Sequence, residues 1–521
     1  MSVTSFGCSV SVSRRLFLGG AIAASAASKS APLGDPVVAT ALGHVRGLKE
    51  HGVAVFRGIH YGTAQRFWAP TIPRLHDGVF EAFAFGPIAH QRNATSSKQS
   101  EDCLLLNVWT PEARPGPRLP VMVYFHGGAY SGGTVTDPLN DGRHLASQGN
   151  VVVTVNHRLN ALGYLYLARL EPRFPDSGNL GQLDLIMALK WIRANIANFG
   201  GDPTRVMVFG QSGGGAKIAT LMGMTAAAGL FHGAATMSGQ QVTASGPINA
   251  TARAQAFLKR LNAVPTDLLT MPAERLIEAL DTPDPIISGS IYFGPVLDMK
   301  WLDRHPFWPD SNPISNHLPM ILGNTHDETR GFFGKDHPRI AGLSWDNLAE
   351  RMAPELRVDI KPEWVVSEYR RAFPAYSPED VFFAATTAGR SWRGQVAEAE
   401  ARARAGAPTW VYQLDFRSPL DPWRGAPHTM DIPLVFGSLD APGSITGTGA
   451  GARAASSAMM RAFTAFAKSG DPAAPGLPHW PMYRLNRRST MIFDRAARVA
   501  RDPRRWEREL FARVPYVQPG S

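Results

Sequence analysis

Gly210-Gln211-Ser212-Gly213-Gly214 decides how this 521-residue chain is read, because the apolar run Arg205-Val206-Met207-Val208-Phe209 leads into it and the helix-compatible Ala216-Lys217-Ile218-Ala219-Thr220-Leu221 leads out. The order is strand, sharp turn, helix. A serine at such a turn sits on a strained backbone with its hydroxyl raised above the sheet, and glycines flank it because side chains there would collide with the neighbouring strand and helix. That placement makes a nucleophile. By itself the pentapeptide also fits a plain glycine-rich turn in a chain holding 50 glycines, so the surrounding sequence has to decide.

Upstream, Leu119-Pro120-Val121-Met122-Val123-Tyr124-Phe125 reads as a buried strand ending in His126-Gly127-Gly128-Ala129-Tyr130. Small residues let backbone N–H groups come close to a substrate oxygen. Fixed N–H dipoles there stabilise the negative charge that develops when a carbonyl is attacked. Gly128 and Ala129, with the N–H of Gly213 after the serine, are assigned as an oxyanion hole on this reading.

These segments, with others along the chain, resemble the type B carboxylesterase family, which includes bacterial esterases, liver carboxylesterases and cholinesterases. Glu101-Asp102-Cys103-Leu104-Leu105-Leu106-Asn107-Val108 is similar to one family signature, and Asn156-His157-Arg158 with Gly163-Tyr164 to another block. Gly178-Asn179-Leu180-Gly181-Gln182-Leu183-Asp184, then Ala188-Leu189-Lys190-Trp191-Ile192 and Phe199-Gly200-Gly201-Asp202-Pro203 follow the family's approach to the serine turn. Phe293-Gly294-Pro295-Val296-Leu297-Asp298 and His479-Trp480-Pro481-Met482-Tyr483 come later in family order, so the resemblance spans residues 37–508. It implies an α/β-hydrolase fold, an α/β architecture with a large, mostly parallel central sheet flanked by helices.

A serine nucleophile needs a base and the base needs an orienter, and in this fold they follow in the order Ser, Asp or Glu, His. The resemblance selects His428 from the 15 histidines, within Gly425-Ala426-Pro427-His428-Thr429-Met430-Asp431. The carboxylate lies in Gly323-Asn324-Thr325-His326-Asp327-Glu328-Thr329-Arg330, where two acids stand side by side. By resemblance Glu328 orients the histidine and Asp327 is structural. The implied reaction is hydrolysis of a small-molecule carboxylic ester through an acyl-enzyme on Ser212. Carbamate, amide or thioester hydrolysis by the same residues is the alternative, and a non-catalytic extracellular binding relative is a more distant one. No zinc-ligand spacing and no phosphate-binding loop in a suitable context is present, so no metal and no organic cofactor is expected.

The resemblance is also imperfect. Residues 58–67, Gly58-Ile59-His60-Tyr61-Gly62-Thr63-Ala64-Gln65-Arg66-Phe67, form a segment shorter than is usual near the active-site entrance of relatives and lack its paired prolines. Gln211 stands where a glutamate is common, which leaves that spot less acidic. With the positive net charge, these departures suggest an entrance tolerant of bulky or anionic esters.

Ser13-Arg14-Arg15-Leu16-Phe17-Leu18, the short apolar run Gly19-Gly20-Ala21-Ile22-Ala23-Ala24 and the cleavage-like Ala24-Ser25-Ala26 resemble a twin-arginine export signal. Residues 1–26 are therefore expected to be a signal peptide, 27–521 the catalytic domain, and the enzyme periplasmic or secreted. The apolar run is too short for stable membrane insertion. Net charge is +10, or +8 once Arg14 and Arg15 leave. The arginines are dispersed among acids rather than interleaved with aromatics, which argues against nucleic acid as a partner. The oligomeric state stays open, and a monomer is compatible with the sequence. Cys8 lies in the expected signal, leaving Cys103 without a partner and more consistent with a small core residue than with a reactive thiol. Segments 397–405 and 495–508, rich in Ala and Arg, read as helices with solvated faces.

Overall fold

The strands Val151–Val155 and Met320–Thr325 are buried at every residue, and Leu119–Phe125 at all but its first. Continuous apolar runs of this kind belong to a parallel sheet covered on both faces. A computed structural model describes residues 34–520 except 93, 95, 96, 288 and 519, and Pro36–Ser521 forms one unit. The expected signal segment lies outside the described residues.

The main sheet has eleven strands in the order Arg498–Arg501, Ser489–Phe493, Thr409–Leu414, Met320–Thr325, Gly233–Met237, Gly201–Gln211, Leu119–Phe125, Val151–Val155, Leu105–Thr110, Val53–His60, Leu48–Glu50. Strands from Ser489–Phe493 through Val151–Val155 pair in parallel, and antiparallel strands close both edges. This is the mostly parallel sheet of the α/β-hydrolase fold. Helices Leu180–Asn195 and Gly213–Leu221 bury their apolar sides on one face, and Ala450–Ser469 buries Met459, Phe463 and Phe466 on the other. A third apolar cluster joins Pro362–Ala372, Pro378–Thr386 and Arg505–Phe511.

The sheet order places the reactive segments. After Leu119–Phe125 the next strand is added on one side, whereas after Gly201–Gln211 the chain builds away on the other. The carboxyl ends of these two neighbours therefore flank a topological switch point, where the diverging connections leave a crevice. Phe125 is in register with Gly210, so the loop beginning at His126 and the turn at Ser212 emerge side by side.

Of the two helical expectations one holds and one is corrected. Segment 397–405 falls in the helix Arg393–Arg404, whose less buried face holds Arg393, Ala397, Glu400 and the exposed Arg404, while Glu398, Ala399, Ala401 and Arg402 lie inside. Arg402 is a polar residue of that buried side that composition alone would leave in solvent. The guanidinium is nevertheless satisfied internally by the Thr409 hydroxyl (3.0 Å) and the carbonyls of Leu318 (2.5 Å) and Pro408 (3.3 Å). Segment 495–508 is not one helix. Arg498–Arg501 is an antiparallel edge strand, where outward arginines discourage pairing with another sheet, and a helix starts only at Arg505. Among the described residues no helix is long and apolar enough to cross a membrane. Cys103 is free and buried, and burial pushes its thiol pKa up, away from the reactive thiolate.

Candidate active site

Gly201–Gln211 ends at a residue in an unusual conformation: Ser212 has φ 55° and ψ −124°, and the helix Gly213–Leu221 begins immediately after it. Non-glycine residues with positive φ are costly and persist only where the surroundings enforce them. The enforcement here is close packing. A Cβ on Gly213 would collide with the backbone of Ala129, and one on Gly214 with the carbonyl of Phe125. The Ser212 N–H donates to the Met237 carbonyl at 2.7 Å, which anchors the turn to the next strand.

The loop after Phe125 carries two successive left-handed residues, Gly128 at φ 85° and Ala129 at φ 52°. Their amide N–H groups have no acceptor among the described residues. Gly128, Ala129 and Gly213 all line the cavity that Ser212 opens into, of about 480 Å³. Beneath this loop sits Lys217, one turn into the helix after the serine. Its ammonium is fully buried and donates to the carbonyls of Ala129 (2.9 Å) and His126 (3.1 Å), and it lies 5.6 Å from the Tyr130 ring centre. Burial brings its pKa down to about 7. The rings of His126 and His157 stack 4.7 Å apart next to it, and burial together with the Lys217 charge holds both histidines neutral, His126 at about 3.

His428 reaches the same cavity from a loop that two neighbouring acids hold in different ways. Glu328 Oε2 lies 2.5 Å from His428 Nδ1, and its other oxygen accepts from Thr325 N (2.8 Å) and Asn324 Nδ2 (3.0 Å). Burial works to raise the Glu328 pKa, but the His428 imidazole, the Ser238 hydroxyl and the Thr325 N–H outweigh it, so the carboxyl stays below its ordinary value. Asp327 turns away from the imidazole. It takes the Ala426 N–H at 2.9 Å, while its own N–H donates to the Ala426 carbonyl at 2.9 Å, so it pins the loop two residues before His428. Glu328 thus touches the imidazole and Asp327 the loop that carries it.

Nε2 of His428 faces the carboxamide of Gln211 at 3.2 Å, and the Ser212 hydroxyl has no hydrogen-bond partner among the described residues. When Nδ1–H is donated to Glu328 and the Gln211 amide nitrogen donates to Nε2, the lone pair lies on Nε2. That is the tautomer a general base requires. The structure thus brings Ser212, His428, Glu328, Gly128, Ala129 and Gly213 together.

Other expectations fare differently. Residues 58–67 do not line this cavity: Arg66 is held by Glu101 at 2.5 Å and donates to the Leu268 carbonyl at 2.7 Å. Arg158, in one of the family-like blocks, forms a buried fork with Asp184 at 2.6 to 3.2 Å, which serves the scaffold. Lys217, Ser238 and Arg390 went unread in the sequence, because the contacts that give them a place at this site are long-range. Among the described residues no cluster of three or more His, Cys, Asp or Glu has the arrangement to hold a metal ion.

The sequence profile of the carboxylesterase family matches residues 34–510. The para-nitrobenzyl esterase of Bacillus subtilis is 35% identical over 500 residues, covering 91% of this chain and 98% of that protein. The fumonisin B1 esterase of Sphingopyxis macrogoltabida is 30% identical, covering 89% and 87%. Among solved structures, a Geobacillus stearothermophilus carboxylesterase superposes with a TM-score of 0.82 at 34% identity, covering 91% of this chain and 99% of that one.

Proposed function

Because this chain belongs to the carboxylesterase family and is a serine hydrolase acting on ester bonds, we propose that Ser212, His428 and Glu328 are its catalytic triad and that Gly128, Ala129 and Gly213 form its oxyanion hole. The observation that carries the assignment is the 2.5 Å contact of Glu328 with His428 Nδ1, which leaves Nε2 as the base at a cavity shared with Ser212.

In the acylation step Ser212 Oγ attacks the ester carbonyl carbon while His428 Nε2 takes its proton. Glu328 keeps the imidazole in the productive tautomer and stabilises the positive charge it acquires. The three N–H groups bind the oxyanion, and because they are fixed before substrate arrives they need no reorganisation when charge develops. His428 returns the proton to the departing alcohol. Water then attacks the acyl-serine by the same route, releasing the acid and restoring Ser212. For Nε2 to accept the serine proton, the Gln211 amide has to give way to the hydroxyl on substrate entry, a tightening that unliganded hydrolase sites often require.

Ser212→Ala tests the assignment, since alanine fits the turn but cannot attack. Purified variant should lose ester hydrolysis to background, and an organophosphate reagent should label Ser212 alone in the parent enzyme. Labelling of another serine, or activity retained in the variant, would overturn it. Assaying an amide and a carbamate beside the esters decides whether the same residues cleave those bonds as well.

Residues 1–26 are proposed to act as a twin-arginine signal, on the strength of Arg14-Arg15 before a short apolar run. Replacing both arginines by lysine should hold the enzyme in the cytoplasm, and unchanged export would dismiss the reading.

A further inference from the structure

Among the described residues, no aspartate or glutamate lines the cavity above Ser212, and apart from the His428 imidazole the one ionisable side chain of fixed charge there is Arg390. Arg390 arrives there through a break in helix geometry. Residues Thr387–Trp392 form a π-helical turn between the helices Pro378–Thr386 and Arg393–Arg404, and such a turn inserts one extra residue that redirects the side chains around it. Arg390 and Ser391, both in this turn, line the cavity.

The guanidinium stacks over the Phe332 ring at 4.5 Å, and that ring lies 4.7 Å from the His428 imidazole. One aromatic ring therefore separates Arg390 from the proposed base. Nη1 of Arg390 is held by Glu355 at 2.7 Å, while Nε and Nη2 have no partner among the described residues. Glu355 does not neutralise the region, because it is shared with Arg339 at 3.3 Å, and Arg357 adds a further guanidinium whose buried Nε is unpartnered. Burial and the Arg357 charge both act against the charged form of Arg390. Tyr292 and Tyr516 complete an aromatic wall around it.

A planar guanidinium clamped on one side, stacked on an aromatic face and left with two free donors suits a carboxylate, which accepts two parallel N–H bonds. We propose that Arg390 is a carboxylate-binding subsite, so that this esterase takes anionic esters in which a free carboxylate sits several bonds from the scissile carbonyl, such as monoesters of dicarboxylic acids. The proposal rests on Ser212 and His428 being the reacting groups of this cavity. Hydrolysis of such a monoester consumes one water and releases the dicarboxylate, the alcohol and a proton, with no other reactant.

The test compares para-nitrophenyl hemiadipate with para-nitrophenyl heptanoate, esters of similar length that differ in the terminal charge, on the full-length enzyme, Arg390→Met and Arg390→Lys. In the parent, kcat/KM should favour the hemiadipate, and the preference should survive high salt, because a desolvated contact is screened far less than long-range steering. Arg390→Met should lower the ratio of hemiadipate to heptanoate kcat/KM by about tenfold, mainly through KM, as expected for loss of a charge-assisted pair. Arg390→Lys should recover part of the ratio, and adipate should inhibit the parent competitively and the Met variant more weakly. A ratio unchanged by Arg390→Met, or a preference for the anionic ester that vanishes with salt, would overturn the subsite. Neither result would touch the triad, whose own failure would appear as heptanoate hydrolysis surviving Ser212→Ala.

Discussion

The Gln211 carboxamide lies 3.2 Å from Nε2 of His428, on the ring nitrogen opposite the one that Glu328 holds. The imidazole is thus bonded at both nitrogens, by a carboxylate and by a neutral amide. A carboxylate at position 211 would instead favour the imidazolium. Protonated imidazole is not a base, so Gln211→Glu should move the acid limb of the kcat/KM profile to higher pH by about one unit. A pH–rate series on one neutral ester measures this, and an unmoved acid limb would show that the amide contact has no bearing on the base.

Glu328 and Asp327 are adjacent in sequence but hold different things, the imidazole and the loop that presents it. Glu328→Gln keeps the shape but removes the charge and permits the wrong tautomer. It should cost kcat about ten-thousandfold, the scale seen when a triad carboxylate is neutralised. Asp327→Asn keeps one oxygen for the Ala426 N–H but loses the negative charge that strengthens this bond and the contact with His326 at 3.0 Å, and it should act chiefly on stability, with a much smaller loss of kcat. Steady-state kinetics together with thermal melts separate the two, and the opposite ranking would make Asp327 the orienting acid.

The serine turn was readable because its cause is local: glycines at 213 and 214 answer to backbones that pass within contact distance, and the flanking strand and helix carry their own periodicity. His428 and Glu328 are 100 residues apart, and only resemblance joined them before the fold did. What stayed hidden depends on tertiary closeness. Lys217 reads as an ordinary helix residue until the loop after Phe125 folds over it, and Arg390 as a surface arginine until a π-helical turn aims it inward. The buried Arg402 shows why composition misleads, since carbonyl acceptors from two segments, Ser315 and Leu318 in one and Pro408 in the other, satisfy what looks like a solvated side chain.

Asp431, three residues beyond His428, is fully buried and accepts from the Tyr412 hydroxyl at 2.8 Å, with its other oxygen unpartnered. Burial, and then the Glu328 charge, raise its pKa from the ordinary 3.8 to about 7. The folded protein therefore keeps a proton that the unfolded chain has released between those values. Stability contributed by this group is present below 3.8 and is lost as pH rises through about 7. The Glu328 contribution has the opposite sign and falls only as pH drops below 4.5, so the two windows do not overlap above that point. Asp431→Asn keeps an acceptor for Tyr412 and removes the titration. In chemical denaturation the variant should be more stable than the parent at about pH 8, and the gap should narrow toward about pH 5. A gap that does not change with pH would mean that Asp431 is not the titrating group.

Lys217 joins the helix after Ser212, the proposed nucleophile, to the loop proposed as part of the oxyanion hole, through the carbonyls of Ala129 and His126. The two fixed carbonyls belong to the peptides leading to Gly127 and Tyr130, which flank the Gly128 and Ala129 N–H groups on either side, so the ammonium acts on the hole by pinning both ends of the stretch that carries its donors. It does not touch the reacting atoms and is a positioning residue. Lys217→Met fills similar space but leaves two carbonyls without their donor, and Lys217→Gln retains an N–H donor without the charge. Donors set slightly off line lose transition-state stabilisation more than ground-state binding, so the Met variant should lose about tenfold or more in kcat with little change in KM. Affinity for a trifluoromethyl ketone, which forms an oxyanion on Ser212, should fall in parallel, and the Gln variant should recover part of both. If Lys217→Met lowers the melting temperature while kcat and ketone affinity stay at parent values, the lysine only holds the fold, and the alignment of the oxyanion hole has another source.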